Sequence, residues 1–142
     1  MRFENLATQF VTIQAPPERV WEALVDPRLI KKYMFGADVR SDWKEGSPIV
    51  WHGESEGKRF EGKGVIQRIV RERMIRYTHY RPSLGLPDRP ENYHTVTVTL
   101  SDGPEGVNLA LTQDNNPTEQ ARRHSEATWK KALNGLKHLL ER

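Results

Sequence analysis

The pattern of apolar and polar positions divides the chain into a β-rich middle flanked by helices. From Phe3 to Gln14 the run FENLATQFVTIQ is dominated by β-branched and aromatic residues and stops at Ala15-Pro16-Pro17, which predicts a first strand. Pro17 can open a helix without losing a needed N–H, and Val20, Trp21 and Leu24 then share one face. Asp26-Pro27 restarts the pattern: Asp26 caps a second short helix carrying Leu29, Ile30 and Tyr33, and Gly36 closes it. Strand-like runs follow at Ala37–Ser41, Ser47–Ser55, Lys58–Val70, Met74–Tyr80, Tyr93–Leu100 and Val107–Gln113. Turns are expected at Glu56-Gly57, Arg71-Glu72 and Ser101–Gly106, with a Pro-rich loop from Arg81 to Asn92 that holds too many breakers for an element of its own. Loops of that length are often lids or binding loops.

The last element has the clearest period. Asn116-Pro117-Thr118-Glu119 reads as a cap, a first-turn proline and a Glu at the third position. Ser125, Trp129, Ala132, Leu133, Leu136 and Leu140 then recur at three- and four-residue steps. A helix from Pro117 to Glu141 would be roughly 37 Å long at about 1.5 Å per residue, enough to cross a whole sheet.

Composition narrows the class. The 142 residues fit one domain, 1–142, with no repeat or linker to divide it, and 36% hydrophobic with 29% charged residues describes a folded domain with a wet surface. The chain has no cysteine, which removes disulfides, thiolate nucleophiles and cysteine-based metal sites. Its formal charge of +3 comes from 22 Lys and Arg against 19 Asp and Glu, a basic balance too small to imply nucleic acid; Arg68, Arg71, Arg73 and Arg76 read as a solvated hairpin end. The apolar runs are short and MRFENLATQF has no leader pattern, so no membrane span and a cytoplasmic location are expected.

The order of strand, two short helices, antiparallel meander and long C-terminal helix resembles the START-like or SRPBCC superfamily, which includes birch-pollen-allergen-like proteins, lipid-transfer domains and polyketide cyclases. APPERVWEALVDPRLIKKYMFG, GKGVIQRIV and ATWKKALNGLKHLLE are similar to the family related to the activator of the heat-shock protein ninety ATPase. The resemblance implies an α+β helix-grip fold, a curved antiparallel sheet of six or seven strands wrapped around the long helix, with a cavity between them. It also allows contact with a chaperone, and a sheet edge or the long helix could support a homodimer.

Pairing across the turns assigns faces to the candidate site, because side chains repeat every second position. The Ser101–Gly106 turn puts Leu100 opposite Val107, Val98 opposite Leu109, Val96 opposite Leu111 and His94 opposite Gln113. The Pro-rich loop puts Tyr80 opposite Tyr93, His79 opposite His94 and Tyr77 opposite Val96. Tyr77, His79, His94 and Gln113 therefore converge at the polar end of an apolar face. In a helix-grip fold that face looks toward Trp129 and Leu133; Trp51 and Phe60 add walls, and Met34 and Phe35 could gate entry. Each aromatic taken singly reads as core; their grouping points to a pocket.

Such a chamber suits a small hydrophobic or amphipathic ligand such as a lipid, isoprenoid or polyketide-like molecule. The alternative is a cyclase, aromatase or hydrolase in which His79 or His94 moves a proton, and a third reading is a chaperone-associated interaction module. His52 and Glu54 share a strand face without a third ligand at metal spacing, His124 and His138 read as surface helix residues, and no motif implies a cofactor. Asp114, Asn115 and Asn116 could offer polar atoms at the mouth but read more economically as turn and cap residues, and Gly62 and Gly64 as relief for a bending sheet.

Overall fold

A computed structural model gives the architecture and describes residues 5–55 and 57–141; Phe3, Glu4 and Glu56 lie outside them. Strand β1 (Ala7–Ile13) leads into helices α1 (Pro17–Val25) and α2 (Pro27–Tyr33). The meander follows as β2 (Asp38–Ser41), β3 (Pro48–Ser55), β4 (Lys58–Val70), β5 (Met74–His79), β6 (His94–Gly103) and β7 (Gly106–Gln113), and helix α3 (Glu119–Leu140) ends the chain. All seven strands form one antiparallel sheet in the order β1-β7-β6-β5-β4-β3-β2. Its inner face and the helices bury one core, from Ile13, Ile49 and Ile75 on the strands to Val20, Ile30 and Leu136 on the helices. This is the helix-grip arrangement.

Local chemistry sets the element ends. Asp26 accepts the Arg28 N–H at 2.9 Å with Pro27 in the first turn, so the chain leaves α1 and re-enters α2 without a loop. At the end of α2 the chain turns through Phe35 at φ 57° and Gly36 at φ 78°, and the Gly36 N–H reaches back to the Lys31 carbonyl at 3.1 Å. The left-handed Phe35 is 47% exposed, a conformation a bulky residue rarely adopts.

Three sequence expectations need correction. The β6–β7 register is shifted by two: Val96 faces Gln113, Val98 faces Leu111, Leu100 faces Leu109 and Asp102 faces Val107. Both strands run on past Leu100 to a tight turn at Pro104-Glu105, with Gly106 at φ 132° where an L side chain would be strained. An even shift leaves every residue on its expected face. The pairings of His79 with His94 and Tyr77 with Val96 are as read from the sequence. Helix α3 starts two residues late: Thr118, not Asn116, is the cap, accepting the Ala121 N–H at 3.0 Å. The Pro-rich loop, expected to lack elements, holds two single-turn 3-10 helices, Pro82–Leu84 and Pro90–Asn92, each opened by proline.

That loop is pinned to the sheet. The Tyr80 and Tyr93 rings stack at 5.2 Å, the Tyr80 hydroxyl donates to the Leu86 carbonyl at 2.6 Å, and the Tyr93 hydroxyl donates to Asp88 at 2.6 Å. Lys63 completes the latch by pairing with Asp88, and hydrogen bonds from Lys63 and Tyr93 hold the Asp88 carboxyl below its usual range.

Helix α3 also closes the outer edge of β1. Glu126 accepts the Thr8 N–H at 3.0 Å, Lys137 donates to the Thr12 carbonyl at 2.7 Å, and Glu141 accepts the Gln14 N–H at 2.8 Å. These groups would otherwise offer pairing sites to another strand. A homodimer through this edge would have to displace all three contacts.

Candidate functional site

Between the sheet and α3 lies a cavity of about 450 Å³. Four of its wall residues, Met34, Trp51, Tyr77 and Trp129, also wall a second void of about 40 Å³ deeper in the core, so they form a partition between the two. The opposite end is the mouth, marked by exposed Phe35, Glu61, Arg81, Pro117 and His124.

Alternation explains why strand residues meet here. Tyr77 and His79 on β5, and His94 and Val96 on β6, sit opposite one another on the inner face, and Gln113 faces Val96 from β7. From β3 and β4 come Trp51 and Phe60. Trp129 comes from α3, and Met34 and Phe35 follow α2. Ten of the twelve sequence-selected residues thus line the large cavity. Leu111 and Leu133 do not: they line the inner void behind the partition.

A satisfied polar network occupies the α3 side. Trp129 Nε1–H donates to Gln113 Oε1 at 2.7 Å, while Gln113 Nε2 donates to Ser125 Oγ at 3.3 Å and to Asn116 Oδ1 at 3.4 Å. Ser125 donates to Asn116 Oδ1 at 2.8 Å, and Asn116 Nδ2 donates to the carbonyls of Asn5 and Gln113. Asn116 is only 4% exposed, so the residue expected to cap a helix is instead a buried link between β7, α3 and the start of the chain. This network fixes the Trp129 ring that walls the cavity.

The two histidines differ. His94 Nδ1 lies 2.9 Å from the Asp114 carbonyl, which can only accept, so Nδ1 carries the hydrogen and in the neutral ring Nε2 is an acceptor. Asp114 is itself buried and its carboxylate accepts the Thr95 N–H, more than the turn role expected of it. His79 lies over Gly62, where an added Cβ would sit 2.5 Å from Nε2, and edge-on to Trp51 at 6.5 Å. Burial, then the charges of His94 and Arg81, push its pKa down to about 4, so it is uncharged at neutral pH. Gly62 therefore does more than relax the sheet: its missing side chain makes room for the His79 ring.

Among the described residues, several polar groups at the site have no hydrogen-bond partner. Trp51, 8% exposed, has a buried Nε1–H without an acceptor. Among the described residues, neither the Tyr77 hydroxyl nor the His79 imidazole has a hydrogen-bond partner. Burial holds the Tyr77 phenol protonated far above its usual range. The site thus offers an N–H, a hydroxyl and a neutral imidazole against walls of Phe60, Val96 and Trp129.

Sequence reasoning weighed Asn116 as a polar group at the mouth but preferred a capping role, missed the rim residues Glu61 and Arg81, and read His124 as surface only, although it is both exposed and at the mouth. Ser125 did carry a signal: a small polar residue four positions before Trp129 on an otherwise apolar stripe. Among the described residues no cluster suits a metal ion, and His52 meets only Glu61, at 4.0 Å on the exposed surface. No helix among them is long and apolar enough to cross a membrane.

Residues 14–141 match the family model described as Activator of Hsp90 ATPase homolog 1-like protein. The chain belongs to this family. Protein ChR145 from Cytophaga hutchinsonii, solved in solution, is 52% identical with a TM-score of 0.85, over 99% of this chain and 97% of that one. Protein CV1439 from Chromobacterium violaceum shares the fold at 24% identity and TM-score 0.80, over 97% and 98% of the two chains. The Aha1 dimer from Colwellia psychrerythraea does so at 19% identity and TM-score 0.73, over 96% of each. No curated protein matches the chain. Nearly all of the described structure, from α1 to α3, falls within the span of this Hsp90-activator-like family model.

Proposed function

We propose that this protein binds one small amphipathic molecule in the cavity between the sheet and α3. The observation that carries the reading is an apolar-walled chamber of about 450 Å³ whose lining includes the buried Trp51 N–H, which has no hydrogen-bond partner among the described residues. That volume lies within the roughly 300–1,000 Å³ of small-molecule sites. An unpaired buried N–H costs free energy that a ligand acceptor recovers, which favours a molecule bearing at least one carbonyl, phenolic or similar oxygen. The satisfied Gln113–Asn116–Ser125 network supports binding over chemistry, since it holds a wall rigid and leaves no free acid or base on it. His79, with its pKa near 4, is a weak proton acceptor at neutral pH and serves better as an uncharged hydrogen-bonding group than as a general base.

The test is isothermal titration of the intact protein with amphipathic phenols, beside a variant in which Val96→Trp fills the chamber from β6. The wild type should bind one molecule per chain and the filled variant should lose at least tenfold in affinity while keeping its circular dichroism. Equal binding by both would place the ligand elsewhere and overturn the proposal.

A further inference from the structure

We infer that the bound molecule lies polar end first in the chamber, a conclusion that rests on the binding reading above. An uncharged oxygen, such as a ketone or ester carbonyl, sits at the closed end, and the apolar chain leads out through the mouth. Two elements give the chamber its axis. Along β5 and its continuation the inward positions are Tyr77 at the partition, then His79, then Arg81 at the mouth. Along α3, Ala121 lies a turn beyond Pro117 of the mouth, and Trp129 stands at the partition. From Tyr77 to Arg81 is roughly 13 Å of strand and from Ala121 to Trp129 roughly 12 Å of helix, so both walls run the same depth from mouth to closed end.

Polarity along this axis decides the orientation. The closed end holds the Trp51 N–H and the Tyr77 hydroxyl, neither with a hydrogen-bond partner among the described residues, on rings whose centroids are 6.0 Å apart. The Trp129 N–H is already bonded to Gln113 and makes no such demand. No Asp, Glu, Lys or Arg among the described residues lines the inner void, and the two that line the chamber, Glu61 and Arg81, are exposed at the mouth. A carboxylate at the closed end would lose its water with no cation beside it, and an ammonium would meet no anion. A neutral carbonyl oxygen avoids both costs, and its two lone pairs suit two donors. The reverse pose leaves the Trp51 N–H buried, unpaired and set against an alkyl chain. In the polar-first pose the chain runs past Phe60 and Ala121 and leaves beside the exposed ring of Phe35.

The probes are 2-nonanone, whose acyl methyl and chain methyl give separate proton signals, and nonanoate. In isotope-filtered NOE spectra of the labelled protein the acyl methyl should contact Trp51 and Tyr77, and the chain methyl Phe35 or Pro117. A chain methyl found at Trp51, with the acyl methyl at the mouth, would overturn the inference. Trp51→Phe keeps a ring on the wall but removes the N–H, and should weaken 2-nonanone roughly tenfold. Unchanged affinity in the folded variant would count equally against the inference; if the variant does not fold, the wild-type NOE pattern decides. Nonanoate at neutral pH should bind about tenfold more weakly than the ketone, and equal affinity would refute the uncharged class. If amphipathic phenols bind and 2-nonanone does not, the inference alone is overturned. If neither binds, the binding reading falls with it.

Discussion

Gly64→Ala is expected to destabilise the protein by roughly 3 kcal/mol, lowering the thermal midpoint by about 10 °C. The cause is contact, not backbone conformation. A Cβ at Gly64 would overlap the Thr78 carbonyl on β5, a backbone atom with no freedom to swing aside. Here β4 passes from pairing with β3 to pairing with β5: Lys63 and Tyr80 bridge on one side, a ladder resumes at Ile66 and Tyr77, and between them the Val65 N–H bonds the Thr78 hydroxyl at 2.9 Å. Any accommodation spreads these strands where His79 enters the cavity. Gly85→Ala is the control: it carries φ 78° but has open space around it, so it should cost only about 1 kcal/mol. Urea denaturation of both variants measures the contrast, and equal losses would refute the close-approach explanation.

The second large effect is a loss of stability below neutral pH. His79 titrates near 4 in the folded protein against an ordinary value of 6.5, so the unfolded chain binds its proton first as pH falls. The stabilising contribution is complete above about pH 6.5, declines as pH drops toward about 4, and totals roughly 3 kcal/mol. Asp26, Asp88 and Glu141, whose pKa values are lowered by hydrogen bonds from Arg28, Lys63 and Gln14, lose their contributions only below about 4.5. The window between about 6.5 and 4.5 thus reports chiefly on the imidazole. Denaturant unfolding at half-unit steps should show the decline in the wild type and a nearly flat line in His79→Gln. A decline of equal size in the variant would refute the assignment.

How much of this was legible in the sequence depended on which physical signal carried each feature. Helix α3 and the strands could be read because a side chain's face follows from period alone, and the face survived even where pairing was misjudged: moving Val98 from Leu109 to Leu111 changes its neighbour but not its side of the sheet. The turn itself was misread because Ser101 and Asp102 look like loop residues, yet they pair with Asn108 and Val107 to extend the hairpin. Asn116 illustrates the opposite limit. Asn-Pro at the head of a helix has a strong local reading, and only the assembled fold reveals that its amide is needed to join Gln113, Ser125 and Asn5. The division of the apolar face by Met34, Trp51, Tyr77 and Trp129 had no sequence signal at all, which is why Leu111 and Leu133 could not be told apart from residues lining the larger chamber.

The most direct measurement of the central claim uses the four tryptophans as built-in reporters of position. In a ¹⁵N-resolved spectrum each indole N–H gives its own signal; Trp51 and Trp129 wall the chamber, Trp43 walls only the inner void, and Trp21 walls neither. Titration with 4-butylphenol should shift the Trp51 signal most, because its unpaired N–H gains an acceptor, and should shift Trp129 while leaving Trp21 in place. Saturable shifts confined to Trp21 or to surface amides, with Trp51 unmoved, would contradict the account.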